Sequence, residues 1–246
     1  MSNENNFAAL SDIGLHRKNN EDNAYAVKTP YGALLIVADG MGGHRKGEVA
    51  SKMVVDALSI PFMQKKHVFS PFRAKHFLRK NLKLANKQVY NLALTSDEYK
   101  EMGTTAVAGV VGPKETYILS VGDSRAYTFS DEGLKQITED QTYVEFLYKS
   151  GKITKSQMAT HPQKNLLINA VGINPDLSNV DEITLPNASY KMLLLCSDGL
   201  YNMVSDEEIA EVLGSSLTLQ EKAKKLIDLA LLHGGNDNVA VVLWQK

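Results

Sequence analysis

The chain has 246 residues, of which 43% are hydrophobic and 22% are charged, and its formal net charge is -1. This length and hydrophobic content suffice for one sizeable core. The balanced charge gives no sign of nucleic-acid binding, no apolar run approaches the roughly 18 residues of a membrane span, and a single cysteine excludes an internal disulfide. The N-terminal residues lack a signal-peptide pattern, so we expect a cytoplasmic protein without a membrane span.

Strands are predicted from short runs that are rich in Val, Ile, Leu and Tyr. In chain order they cover residues 23–28, 32–38, 104–111, 115–121, 124–129, 189–196 and 238–244. Several of them are joined by short turns containing Gly or Asp, and such turns favour antiparallel pairing. Residues 140–175 follow no regular pattern, and we expect an irregular flap subdomain there, within one domain that spans residues 1–246.

Helices are predicted in two parts of the chain. Apolar residues at helical spacing indicate helices around 50–58 and over 219–231, and a further helix is predicted over 71–95. Ser205 and Thr218 each stand three residues before a glutamate, which is the capping-box pattern that begins a helix. This grouping of strands and helices predicts an α+β fold with packed sheets and helices outside them.

Acidic residues recur where an apolar strand meets a glycine. Predicted strands run directly into Asp39-Gly40, Gly122-Asp123 and Asp198-Gly199, and Asp237 precedes the last strand. A strand end holds a side chain rigidly, and an adjacent glycine lets a ligand or the backbone approach closely. Because an isolated buried carboxylate is costly, a bound divalent cation would explain the pattern. Oxygen ligands, with no Cys or His pair at zinc-like spacing, favour Mg²⁺ or Mn²⁺.

The same acidic residues also have a purely structural explanation. Asp-Gly is a common hairpin-turn dipeptide, and for any one of these sites a turn is the more frequent role. Four such sites next to apolar strands strengthen the case for a metal centre, but spacing alone does not decide between the two. Upstream, Arg17, Glu21 and Asp22 form a polar stretch that a solvated loop would explain, although the planar guanidinium of arginine also matches phosphate oxygens.

Taken in order, these motifs resemble the metal-dependent protein phosphatases of type 2C, and most of all the compact, stand-alone bacterial members. The matching stretches are Arg17 to Asp22, Asp39-Gly40-Met41-Gly42-Gly43-His44 with Gly47-Glu48, Met102-Gly103-Thr104-Thr105, Gly122-Asp123-Ser124-Arg125, His161-Pro162, Asn169-Ala170-Val171-Gly172, Ser197-Asp198-Gly199-Leu200 and Gly235-Asn236-Asp237-Asn238. Each motif is weak alone, but the ordered set is specific and covers nearly the whole chain. The resemblance implies a four-layer αββα sandwich, in which two antiparallel β-sheets are flanked by helices.

The resemblance also implies a set of metal ligands. Asp39 would bridge two Mn²⁺ or Mg²⁺ ions, and the carbonyl of Gly40 would assist one of them. Asp198 and Asp237 would complete the second site. Asp123, together with Asp198, would hold a third ion of the kind seen in bacterial relatives.

The remaining roles concern the substrate and the proton. Arg17 would bind the substrate phosphate, and Glu21 and Asp22 would hold waters bound to the ions or support the shell around them. Animal relatives carry a histidine directly after the Asp-Gly pair, as a proposed general acid, and this chain has Met41 there. A water or the nearby His44 would then have to protonate the leaving oxygen.

The implied reaction is hydrolysis of phosphoserine and phosphothreonine in proteins by a metal-activated water. The partners would be phosphoprotein substrates and a Hanks-type serine/threonine kinase whose action the enzyme opposes, and we expect a monomer. Two alternatives stay open at this point. One is a catalytically inactive relative that acts as a binding module, although such proteins typically lose a metal ligand and none is missing here. The other is the same chemistry on a small phosphoester.

Other phosphatase and hydrolase classes do not fit the sequence. Cys196 has no arginine six residues later, as a cysteine-based phosphatase would require, and lies in an apolar strand. Gly42 and Gly47 have the spacing of a nucleotide-binding P-loop, but Glu48 stands where lysine is needed. A serine hydrolase is also excluded because the chain lacks the Gly-x-Ser-x-Gly motif.

Overall fold

The computed structural model of the chain describes residues 6–42 and 46–246, which form two antiparallel sheets. The first sheet has the strand order β1 (Phe7–Asp12), β11 (Val239–Gln245), β10 (Met192–Cys196), β7 (Arg125–Ser130) and β8 (Gly133–Gln136). The second sheet has the order β2 (Asp22–Thr29), β3 (Gly32–Met41), β5 (Ala106–Val111), β6 (Glu115–Val121) and β9 (Asp181–Pro186), and the short β4 (Gly103–Thr104) pairs with β3.

Several of the helices begin at a residue whose side chain caps them. The helices are α1 (Gly47–Met63), α2 (Pro71–Ala93), α3 (Tyr143–Lys149), α4 (Lys155–Met158), α5 (Asp198–Tyr201), α6 (Asp206–Gly214) and α7 (Leu219–Leu232). Both predicted capping boxes are present, because Ser205 exchanges hydrogen bonds with Glu208 and Thr218 does so with Glu221. Ser70 caps α2, and a proline follows it at the first helical position.

The four predicted layers follow from the alternation of side chains along the strands. In β3, Leu34 and Ile36 pack against α1 and α2, whereas Leu35 and Val37 face the other sheet. The side chains of β10 alternate in the same way. Its odd-numbered leucines lie between the sheets, and its other face packs against α6 and α7. Both faces of these strands are covered, which explains why they are apolar throughout rather than alternating with polar residues. The αββα sandwich is therefore confirmed.

The sequence prediction missed three strands, β1, β8 and β9. Each lies at the edge of its sheet and pairs along one side only. Edge strands are partly exposed and carry mixed polar residues, so the apolar runs that identified the inner strands are absent. The strand predicted over 189–196 begins only at Met192, because residues 187–189 form a short 3₁₀ turn.

The turn between β6 and β7 joins the two sheets and is not a hairpin. The three residues Gly122, Asp123 and Ser124 carry the chain from the second sheet to the first. Gly122 has φ +96°, and a Cβ at this position would lie 2.7 Å from the side chain of Thr105. This crossing places Asp123 between the sheets at one end of the sandwich. None of the helices within the described ranges is both long and apolar enough to span a bilayer.

Candidate metal and phosphate site

One end of the sandwich collects the acids that the sequence placed at strand ends. Asp39 lies near the end of β3 and is directly opposite Asp22 at the start of β2. Asp198 follows β10, and Asp237 lies just before the neighbouring strand β11. Antiparallel pairing brings the end of one strand beside the start of the next, so residues far apart in sequence meet here.

A cleft of about 270 Å³ opens at this end. Its lining comprises Arg17, Glu21, Asp39, Gly40, Met41, Gly42, Thr105, Asp123, Asn165, Leu167, Asp198, Asp237 and Asn238. All the predicted metal ligands are therefore brought together with Arg17 and Glu21, whereas Asp22 is buried beneath them. His44, one of the two proton donors that the sequence suggests, lies outside the described residues.

The backbone at Asp39 is held by two threonines. Its N–H donates to the hydroxyl of Thr105 at 3.0 Å, and its carbonyl accepts from the Thr105 N–H and the Thr104 hydroxyl, both at 2.8 Å. Next to it, a Cβ on Gly40 would lie 2.2 Å from the Gly47 carbonyl oxygen, so only glycine lets the start of α1 approach so closely. With the main chain satisfied in this way, the Asp39 carboxylate is left to line the cleft.

Asn238 organises the loops around the cleft. Its side-chain oxygen accepts from the N–H of Glu21 at 2.9 Å, and its amide donates to the carbonyls of Ile13 and Asn19 at 2.8 and 2.9 Å. These bonds fix the loop that carries Arg17. In the sequence Asn238 is recognisable only as part of a motif, although an amide next to a strand-end acid is suited to such bridging.

Arg17 reaches across the mouth of the cleft to Asp237. The guanidinium nitrogen lies 2.6 Å from the carboxylate oxygen, and both side chains are partly exposed. An exposed pair of this kind adds little to stability. The ion pair instead keeps the guanidinium beside the acids. A phosphate oxygen could there replace the carboxylate as the partner of the guanidinium.

One amide and one hydroxyl, of Asn202 and Ser197, donate hydrogen bonds to the acids. Asn202 donates to the carboxylate of Asp198 at 3.0 Å. The buried hydroxyl of Ser197 donates to Asp22 at 2.6 Å and accepts from the N–H of Ala240 at 2.9 Å. Ser197 therefore connects the two sheets directly beneath the cleft.

Replacing Ser197 with alanine is expected to lower the free energy of unfolding by about 1–3 kcal/mol, because both the Asp22 carboxylate and a buried N–H lose their partner. Urea denaturation measures the change. Ser120→Ala is the matched control, since Ser120 is also buried but its hydroxyl has only a 3.4 Å contact with a carbonyl. If both variants lost the same free energy of unfolding, the Ser197 hydrogen bonds would contribute no more to stability than the weak contact of Ser120 does.

Burial, and after it the proximity of the acids to one another, raises their pKa values. Burial is the main cause for Asp22, whose pKa rises to about 7; the Ser197 hydrogen bond opposes the rise and the charges of Asp198 and Asp237 add to it. Burial, followed by the charge of Asp198, raises the pKa of Asp123 to about 7. Burial and then Asp237 raise the pKa of Asp198 to about 6, and burial and Asp22 raise that of Asp39 well above its usual value.

A divalent cation fits this donor set. Among the described residues that line the cleft, Arg17 is the single cation facing several acids, so negative charge is in excess. Within the same described ranges, no three acids, histidines or cysteines are clustered tightly enough to enclose one ion alone. Mg²⁺ is usually held by one or two carboxylates together with waters and substrate phosphates. Oxygen ligands of this kind also suit Mn²⁺, and they disfavour zinc.

The segment predicted as a flap contributes to the wall of the cleft. It contains α3 and α4 and is otherwise irregular. Asn165 and Leu167 lie beside the acids. At the base of this segment, Arg125 forms a two-point ion pair with Asp140 and stacks on Tyr201, whose hydroxyl donates to the carbonyl of Asp123 at 3.0 Å. This chain of contacts connects the segment to the acids.

Comparison with known proteins agrees with this geometry. The family model described as "Protein phosphatase 2C" matches residues 16–229. The serine/threonine phosphatase stp of Listeria monocytogenes is 39% identical over 96% of this chain and 94% of its own length. The crystal structure of serine/threonine phosphatase Stp1 from Staphylococcus aureus superposes with a TM-score of 0.91 at 37% identity, over 98% of this chain and 94% of that one. The catalytic domain of serine/threonine protein phosphatase PstP, solved in complex with two manganese ions, gives a TM-score of 0.82 at 36% identity, over 97% of this chain and 96% of that one.

Proposed function

This chain belongs to the protein phosphatase 2C family, and on that premise we propose that it hydrolyses phosphoserine and phosphothreonine in proteins, with Mn²⁺ or Mg²⁺ bound in the acid-lined cleft. The observation that carries the proposal is the group of acids that meets at the cleft with one facing arginine. A cleft built in this way needs bound cations before a phosphate dianion can enter it.

We assign the acids to the metal ions as follows. Asp39 would contact two ions, with the Gly40 carbonyl beside one of them, and Asp198 and Asp237 would complete the second site. Asp123 and Asp198 would share a third ion. When bound, such ions lower the pKa of water and neutralise the charge of a phosphate ester.

The other residues position the substrate and water. Arg17 would exchange its bond to Asp237 for two bonds to phosphate oxygens, which its planar guanidinium can make in parallel. Glu21 would accept a hydrogen bond from water at the wall of the cleft, because burial, and after it the charge of Glu48, raises its pKa and makes it a better proton acceptor. Asp22 would support the acids from below through Ser197. A water in the cleft or His44, which lies outside the described residues, would protonate the leaving oxygen.

We further propose the substrates, the location and the oligomeric state of the enzyme, and a role for the flap. The substrates would be proteins phosphorylated by a Hanks-type serine/threonine kinase, in the cytoplasm, and the enzyme would act as a monomer. The flap over 140–175 would contact the protein substrate, since Asn165 and Leu167 already line the cleft. Substrate choice would then depend on a segment that has no catalytic residue.

Release of phosphate from a phosphothreonine peptide is expected to stop in EDTA and to return when Mn²⁺ or Mg²⁺ is added in excess, because the acids alone repel the substrate. Asp198→Ala is the control and is expected to stay folded while losing most turnover at every metal concentration. Full activity of the metal-free protein would refute the mechanism. Efficient turnover of p-nitrophenyl phosphate without turnover of phosphopeptides would instead indicate a small phosphoester as the substrate.

A further inference from the structure

We propose that the outer face of α2 and the α1–α2 connection dock on a lipid bilayer that is rich in anionic headgroups. We call this surface the basic face and define it by residues 60–87. The inference does not rest on the proposed function, because the basic face shares no residue with the cleft.

The basic face is strongly positive although the net charge of the whole chain is only -1. Residues 60–87 contain no Asp or Glu and eight basic residues, namely Lys65, Lys66, Arg73, Lys75, Arg79, Lys80, Lys83 and Lys87. All eight are exposed. Lys75 and Arg79 pair with Glu182, and within the described ranges the other six form no salt bridge. The rest of the chain therefore has a clear excess of acids, and the positive charge is concentrated on one side.

Apolar side chains protrude among these cations. Phe72, in the first turn of α2, is 78% exposed. Four further apolar residues, Ile60, Met63, Val68 and Leu84, are exposed by between 46% and 59%. A cavity of about 370 Å³ lies between the connection and α2, with Phe69 and Phe77 among its lining and with Lys65, Arg73 and Lys80 beside them. Cations around exposed aromatic and aliphatic groups are the composition of a surface that lies at the interface of an anionic bilayer.

The orientation of α2 would leave the cleft accessible on a docked protein. At its start, the N–H of Phe69 donates to the carbonyl of Tyr31, beside the first residue of β3. Asp39 lies seven residues further along β3, which is about 23 Å away at 3.3 Å per residue. At the other end of α2, the amide of Asn86 donates to the carbonyl of Asn174, on the side of the cleft. Phe72 therefore lies at the end of the sandwich opposite the acids.

A bilayer explains the surface better than a nucleic acid does. Both are polyanions, and both would use the eight cations. A nucleic acid would gain from stacking on Phe72 but would leave the aliphatic residues Ile60, Met63 and Val68 in water, whereas the acyl boundary of a bilayer can cover all four. Each cation close to an anionic surface corresponds to a roughly five-fold gain in affinity, so the six unpaired cations suffice for measurable binding.

Co-sedimentation of the intact protein with vesicles tests the proposal. Binding is expected to vesicles of phosphatidylcholine mixed with an equal part of phosphatidylglycerol, and not to phosphatidylcholine alone. Raising the salt should release the protein, because the Debye length falls from about 10 Å at 0.1 M to about 3 Å at 1 M. The double variant Lys80→Glu with Lys83→Glu should bind at least about ten-fold more weakly. Lys224→Glu with Lys225→Glu on α7 is the matched control with the same charge change on the other side of the molecule, and it should bind like the wild type.

Fluorescence reports whether the apolar tip inserts. The emission of Phe72→Trp is expected to shift to shorter wavelength with anionic vesicles, and Trp244 contributes a constant background because it is buried. Thermal melting of each variant shows that it is folded. Absence of binding at low salt, equal weakening by the two double variants, or tighter binding to single-stranded RNA than to vesicles with no shift at residue 72 would overturn the proposal.

Discussion

Replacing Asp39 with asparagine is expected to lower kcat/KM toward a phosphothreonine peptide by at least about 10³-fold, while making the metal-free protein more stable. Removing a single oriented group that stabilises the transition state already costs roughly 10²–10³, and Asp39 is proposed to contact two ions. Burial, and after it the charges of Asp22, Asp198 and Asp123, raise the pKa of Asp39. Stability should rise because a neutral amide at this position has no buried charge and is not repelled by those acids.

The two effects are measured on the same preparation, by steady-state kinetics with Mn²⁺ and by thermal melting in EDTA. An increase in Tm of at least about 2 °C corresponds to about 1 kcal/mol for a chain of this size. Asp131→Asn is the control, because Asp131 is highly exposed and pairs with Lys191 far from the cleft, and both readings should stay at wild-type values. Near-normal turnover of Asp39→Asn would remove Asp39 from the metal site, and a lower Tm would show that repulsion among the acids is not significant.

The metal-free protein is expected to lose stability, on the order of several kcal/mol, as the pH rises from about 4 to about 7. Unfolded Asp has a pKa of about 3.9, whereas the folded pKa values of Asp22 and Asp123 are both about 7 because the two groups are buried. Within this window the folded protein binds more protons than the unfolded chain, so the acids contribute stability at low pH that is lost as the pH rises through their folded pKa values. Above about pH 8 no further loss is expected from them.

Urea denaturation in EDTA at about pH 5 and about pH 8 measures this difference. Saturating Mn²⁺ should reverse the loss at the higher pH, with a gain of about 2.7 kcal/mol at a concentration 100 times the Kd. The metal should have little effect at the lower pH, where protons compete for the same oxygens. A metal-free protein that becomes more stable between these two pH values would contradict the assignment, as would stabilisation by Mn²⁺ that does not depend on pH.

The inner strands and the capped helices were predictable because local patterns encode them. Continuous apolar runs such as residues 33–38 and 192–196 can be buried only between two layers, and Ser205 and Thr218 cap their helices within the same turn. The edge strands β1, β8 and β9 were not predicted, because they are partly exposed and carry mixed polar residues, whereas β2, the fourth edge strand, was predicted.

For the site, the sequence by itself determined which acids stand at the ends of apolar strands, and the order of those motifs identified the family. Only the tertiary structure decided that Asp39, Asp123, Asp198 and Asp237 line one cleft, that Gly122 crosses between sheets, and that Ser197 and Asn238 hold the acids and their loops. The physical reason is separation along the chain. A strand end is a local property that composition reveals, whereas the hydrogen bond from Ser197 to Asp22 joins residues 175 positions apart and exists only once both sheets have packed.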